Sequence, residues 1–390
     1  MRSLVPALLL CGLHVHAQQW VQLPDFPGTA RDDAASFTWN DKVFVGTGLD
    51  AGFQLTNDWY AFDVGTMSWD TIAPLPASGR QYASGFSLNG RGSLFGGLDA
   101  SGPLNELWSY DPTTDTWDQR ASLPAPGRYA CAVMTTSQYA YICTGMLADG
   151  VPTNEVWRYD PATDTWAVRA AVPGPARHRA TAQWNVLMGG ADVEYEALAD
   201  VLGYDEGADS WTIREDMPDG RYAADIVDNI HIGGVGSDGA IQSAAWRYSW
   251  ADDTWNTTEL PPFAGGPRRG GVIAPNTYLL DVGIIYYGTG SDNVQRHNDW
   301  WMLNYGVGIA EHRTQGLSVH PNPVRDRVSI GYPEGSGPVR LSLVDMSGRV
   351  LGNWSDRPAS IDLSAIATGH YLLRLDTEGT STITKLLKLP

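Results

Sequence analysis

The chain has 390 residues, 43% of them hydrophobic, with 16 tryptophans and a formal net charge of −18. That length accommodates one large or two ordinary globular domains. The acidity excludes nucleic acid and anionic lipid as partners, because each needs a basic face. The charge is uneven: residues 18–310 hold 36 acidic and 16 basic side chains, and residues 311–390 hold 8 and 9. A domain boundary is expected near 310.

Residues 1–17 read as a signal peptide, with Arg2 as the positive start, Leu4 to Leu13 as the apolar core and Val15-His16-Ala17 as the cleavage site. The core is too short to span a bilayer as a permanent helix. Leu10 directly precedes Cys11, which speaks against a lipid-attached cysteine. The apolar run Leu279 to Tyr287 is broken by Asp281 and Gly283, so no transmembrane segment is expected.

One Trp recurs at 20, 69, 117, 166, 211 and 255. About eleven residues after each comes an arginine: Arg31, Arg80, Arg128, Arg177, Arg221 and Arg268. A Gly-rich strand end follows, at Gly46/Gly48, Gly96-Gly97, Thr144-Gly145, Gly189-Gly190, Gly233-Gly234 and Gly288/Gly290. Then comes a bulky-x-bulky-Asp segment such as Trp108-Ser-Tyr110-Asp111 or Trp157-Arg-Tyr159-Asp160, six residues before the next Trp. Asp-Pro-x-Thr at 111–114 and 160–163 is turn chemistry, and the apolar alternation of Phe37-Thr-Trp39 and Val43-Phe-Val45 is that of strands. Four strands repeated every 44–49 residues make a propeller blade. The tryptophans are expected to pack between blades.

The sixth repeat supplies Arg268, Gly288/Gly290 and Trp301-Met-Leu303-Asn304 but no following Trp. The chain start has Trp20 but no blade of its own. Residues 19–23 are therefore expected to complete blade six, which leaves no unpaired edge between the ends. Cys131 and Cys143 fall on adjacent strands of a hairpin centred on Ser137. A disulfide between opposed residues and two buried free thiols are both open readings.

These repeating elements resemble kelch repeats over residues 18–306, although repeat four has Leu202 and repeat five Ser249 where the pattern has an aromatic and an Asp. The resemblance implies an all-β, six-bladed propeller. After a linker at 307–315, residues 316–390 read as about seven short strands in a small immunoglobulin-like sandwich. Pro321-Asn322-Pro323, the turn at Gly348, Gly369-x-Tyr371-x-Leu373-x-Leu375 and the closing Lys385-Leu-Leu-Lys388 resemble the type A C-terminal sorting domain of type IX secretion. That resemblance implies the secretion machinery as a partner and a secreted or cell-surface destination, after cleavage between Gly306 and Gln315.

Function is less legible. The six repeat arginines begin the innermost strands, so they are candidates to ring one channel mouth and bind anionic ligands. Arg179 and Arg269 stand beside them. The alternative is that each arginine hydrogen-bonds the blade-connecting loop and meets no ligand. The main expectation is a monomeric binding module for glycan or protein ligands. Sialic-acid epimerases, which resemble this architecture, supply an enzyme alternative. Copper oxidation is disfavoured, because His178, His231 and His297 form no convergent set with the cysteines. No EF-hand, Walker A loop or zinc cysteine pair is present, and no cofactor or metal is expected. Asp32/Asp33 and Glu194/Glu196 read as solvated loop acids.

Overall fold

The computed structural model describes residues 18–275, 283–305, 318–320, 324, 326–332, 340–345, 350–355, 357–366, 369–377 and 380–388. The readings of residues 1–17 and of the 307–315 linker lie outside them. The chain divides into two compact units, Met1–Gly306 and Val307–Pro390.

In the first unit six four-stranded antiparallel sheets follow one another. Their innermost strands are Ala35–Trp39, Ser84–Leu88, Ala132–Thr135, Thr181–Gln183, Arg221–Val227 and Val272–Pro275. Blade one continues through Lys42–Gly46 and Trp59–Asp63 to Ser68–Ile72 at the rim. The second strand of each blade is almost wholly buried, as in Ile230–Gly236, because it is covered by blades on both faces. The outer strand shows water on one side and a half-buried Trp on the other.

The ring closes as the end mismatch requires. Gln19–Gln22 pairs antiparallel with Trp300–Asn304, in the register Trp20↔Leu303 and Val21↔Met302. Blade six is thus built from both ends of the propeller segment.

Neighbouring blades are locked by hydrogen bonds that recur six times. Each outer-strand Trp donates its Nε1–H to a carbonyl in the exit of the preceding blade: Pro261 from Trp20, Pro24 from Trp69, Ala73 from Trp117, Ala121 from Trp166, Ala170 from Trp211 and Glu215 from Trp255. The second residue of each Gly pair donates its backbone N–H to the next blade's repeat arginine, from Gly48 to the Arg80 carbonyl at 2.7 Å and finally from Gly290 to Arg31 at 2.8 Å. Glycine is needed at such places. A Cβ on Gly48, at φ +102°, would stand 2.8 Å from the Asp32 carbonyl oxygen.

The second unit holds two antiparallel sheets, one of Ser318–His320, Arg327–Gly331 and Ser360–Asp362, the other of Val350–Trp354, Arg340–Asp345, Gly369–Thr377 and Thr380–Lys388. One core, including Val328, Leu341, Ile361, Leu373 and Leu386, is shared between them. Two sheets over one core is the extent of its likeness to an immunoglobulin sandwich. Tyr371 is buried and opposes Leu386, while Gly369 and Lys385 lie in the last hairpin. Pro321, Asn322, Pro323 and Gly348 lie outside the described residues.

Candidate functional site at the channel mouth

The six repeat arginines do not ring a mouth. Arg31, Arg80, Arg128, Arg177, Arg221 and Arg268 are between 0% and 4% exposed. Five of them pair with the acid that immediately precedes the third strand of the same blade: Asp58, Glu106, Glu155, Asp200 and Asp299, at 2.5 to 2.9 Å. Blade five has Ala244 there, so Arg221 turns to Asp219 at 3.4 Å and to the Trp246 ring. Arg80, Arg177 and Arg221 also donate to the carbonyls of Gly96, Gly189 and Gly233. Buried, ion-paired guanidinium groups brace blades, and the two nitrogens without a partner, Arg128 Nη1 and Arg268 Nε, are themselves buried.

The mouth itself is built one and two residues further along. At the second position stand Asp33, Tyr82, Ala130, Arg179, Ala223 and Gly270, all with φ between +51° and +57°. In that left-handed conformation each backbone N–H points along the ring. The chain of bonds runs from Tyr82 to the Asp33 carbonyl, Ala130 to Tyr82, Arg179 to Ala130, Ala223 to Arg179, Gly270 to Ala223 and Asp33 to Gly270, at 2.8 to 3.1 Å. This closed hydrogen-bonded hoop frames one end of the central channel. Four consecutive residues from every blade line the cavity behind it, of about 310 Å³. The lining is mostly Ala, Gly, Ser and Thr, so polar chemistry gathers at the hoop.

Three arginines converge there. Arg179 donates to the Tyr82 hydroxyl at 2.8 Å, covers that ring at 4.5 Å and lies 3.8 Å from Asp33. Arg269 approaches Asp32 at 3.3 Å and Asp33 at 3.7 Å. Arg296 donates to Asp32 at 2.5 Å and sits over the Phe53 ring. These guanidinium groups keep 13–21% of their side-chain surface, whereas Asp32 keeps 1% and Asp33 6%. Three cations against two carboxylates leave a positive focus in an otherwise acidic propeller. Tyr129, Tyr195 and Tyr222 continue the wall past Tyr82, and His178 meets Tyr195 edge-on at 4.9 Å.

Burial, opposed by Arg179 and Arg269 and aided by Asp32, raises the Asp33 carboxyl to about 6. Deeper in the channel, burial together with the charge of Asp33 pushes Asp225 well above the carboxylate range. The buried Tyr287 hydroxyl faces Asp225 without a bond of normal geometry. Burial and then Arg179 lower His178 to about 4, so its imidazole is neutral at pH 7.

Loops between the second and third strands rim this same end. Each is stiffened by an aspartate that accepts the backbone N–H two residues on, at Asp50, Asp99, Asp149, Asp192, Asp238 and Asp292. Their tips raise Phe53, 72% exposed, and Tyr195, 54% exposed, beside the charged centre.

Several sequence expectations need correction. Asp32 and Asp33 are buried and ion-paired, because they enter the hoop instead of a loop; Glu194 and Glu196 are exposed as expected. Cys131 and Cys143 are free thiols. The register opposes Cys143 to Ala132, and a one-residue offset turns Cys131 to the other face, onto the channel wall. Burial pushes the Cys131 thiol up to about 12. Arg179 and Arg269, noted beside the repeat arginines, are the ones that reach the mouth. Among the described residues no group of three or more His, Cys, Asp or Glu is placed to hold a metal ion, and no helix is long and apolar enough to cross a membrane.

Comparison with known proteins agrees with this architecture. Residues 9–183 match the family model described as the KLHDC2/KLHL20/DRC7 Kelch-repeats domain, and residues 318–388 match the secretion system C-terminal sorting domain. No match was found among curated protein sequences. A solved structure titled "Structure of YjhT" superposes with a TM-score of 0.60 at 16% identity, over 79% of this chain and 99% of that one. At that identity the likeness is one of fold. The first unit carries kelch repeats and is a six-bladed β-propeller. The C-terminal unit is a sorting domain of type IX secretion, which makes the chain an export substrate of that machinery with a secreted or cell-surface destination.

Proposed function

We propose that the propeller is an exported binding protein that captures an anionic saccharide, one bearing a carboxylate, at the Arg179–Arg269 mouth. The observation that carries this reading is the convergence of Arg179, Arg269 and Arg296 on Asp32 and Asp33 at the channel mouth, beside Tyr82. Such a focus attracts an anion that the rest of the surface repels, and planar guanidinium groups match a carboxylate in bidentate fashion. Tyrosines offer both a face for a sugar ring and a hydroxyl for its polar edge.

The test is calorimetric titration of the mature chain with N-acetylneuraminate and with its methyl ester. The acid should bind and the ester should bind at least about tenfold more weakly, roughly one lost charge-assisted hydrogen bond. Arg269→Ala should remove the difference. Equal affinity for acid and ester would defeat the proposal.

A second reading, a carbohydrate-active enzyme of the epimerase kind, has one observation in its favour. A carboxyl held near 6 beside Tyr82 and Arg179 is poised to exchange protons at neutral pH. Anomer interconversion needs a base for the anomeric O–H proton and an acid that protonates the ring oxygen. NMR of a freshly dissolved single anomer should then show faster equilibration with the protein than with Asp33→Asn. Identical rates would leave binding alone.

A further inference from the structure

A second cavity lies at the opposite end of the innermost strands. In blade four the strand that starts beyond Arg179 at the hoop ends at Gln183, and the next residue, Trp184, turns into the hairpin to Val186–Met188. Trp184 is 52% exposed and has φ +53°, a conformation that a bulky side chain seldom adopts without a reason. Trp250, from the neighbouring blade, stands 5.3 Å behind it, and the Trp250 indole is itself anchored by a hydrogen bond to the Asn229 side chain. An exposed indole is thus held upright from both its backbone and its back.

Its other side faces a cavity of about 430 Å³ between blades three and four. Polar groups in the wall are not used up by the fold. The Tyr141 side chain is buried, and its hydroxyl faces Glu206 without a bond of normal geometry. The Arg214 Nε–H is buried and has no partner. Gly203 keeps the floor open, since a Cβ there would come 2.8 Å from Arg214 Nε.

We infer that this cavity is a binding subsite for a neutral oligosaccharide, distinct from the mouth. A pyranose ring lays its C–H face on the Trp184 indole. Its hydroxyls donate to Glu206 and accept from Arg214 and Tyr141. The two carboxylates in the lining, Asp205 and Glu206, select against the acidic sugars that suit the mouth. The cavity is also concave and mixes polar and apolar surface about evenly, as a small-molecule site does.

The experiment is tryptophan fluorescence and saturation-transfer NMR on the mature chain with maltohexaose, cellohexaose and laminarihexaose. At least one should bind. Trp184→Ala should weaken it about tenfold or more, as loss of one aromatic stack does, and Tyr141→Phe, which preserves the packing, should weaken it several-fold. Arg269→Ala should leave hexaose binding unchanged, which separates failure here from failure of the mouth reading. No binding of any hexaose at millimolar concentration, or unaltered binding by both Trp184→Ala and Tyr141→Phe, would overturn the assignment.

Discussion

At the scale of single residues, Asp33 makes the mouth sensitive to pH. Its folded carboxyl near 6 lies above the ordinary 3.8, so the folded state holds this proton more tightly. The stability it contributes is complete below 3.8 and is lost as pH rises through about 6. His178 and His231 work in the opposite sense: burial holds them near 4 and 3, so the fold loses their contribution as pH falls below 6.5. Binding is therefore the cleaner readout. Protonating Asp33 removes a negative charge from the mouth, so a carboxylated sugar should bind more tightly at pH 5 than at pH 7.5. Asp33→Asn should flatten the titration, and a flat wild-type profile would contradict the assignment. The repeat arginines predict something else. Arg80→Ala removes a donor from the Gly96 carbonyl and leaves part-exposed Glu106 held only by the Trp108 indole, and should destabilise the propeller by about 1–3 kcal/mol in urea melts. Sugar affinity of the folded fraction should stay as it was.

At the scale of elements, the weak point is where Gln19–Gln22 meets Trp300–Asn304. Trp20 packs edge-on against Phe263 at 4.9 Å and touches Tyr287 at 6.3 Å. Trp20→Ala should cost about 3 kcal/mol, the low end for truncating a large aromatic because this one is only half-buried. Deleting residues 18–22 exposes a whole edge of Trp300–Asn304 and invites strand pairing between molecules. Size-exclusion chromatography of that variant should show aggregates, whereas an elution volume unchanged from the parent chain would mean that closure matters little. The rim loops are a contrast. Their aspartate turns are local, so replacing Phe53 at a tip should alter ligand contacts and hardly move the melting temperature.

At the scale of the whole molecule, a C-terminal sorting domain follows one propeller. Removal of residues 318–388 should leave a folded propeller inside the periplasm, detectable by fractionation and by its unaltered sugar binding. Export of the truncated chain would refute dependence on the C-terminal unit. Mass spectrometry of the exported protein should find its C-terminus between residues 306 and 315, and its N-terminus at Gln18. The charge division gives a strongly acidic propeller, whose copies repel one another, and a nearly neutral C-terminal unit.

What the amino-acid order determined by itself was the repeating architecture. Six Trp, Arg and Gly positions in constant register specify strand, turn and inter-blade contact locally, and the missing sixth Trp implied the closure through Trp20. Even the brace role of the arginines had a signal, the acid just before the third strand in five of the six blades. What only the tertiary structure decided was which residues meet. The mouth collects Asp32, Asp33, Tyr82, Arg179, Arg269 and Arg296 from four blades and both ends of the propeller segment. Nothing in the spacing says that a left-handed φ turns the second residue after each arginine to the axis. The same holds for Trp184 and Trp250, which lie 66 residues apart in number and touch only because the ring brings blade four against blade five. Local periodicity encodes a blade; convergence on an axis is a property of the closed ring, and the ring exists only after all six blades have packed.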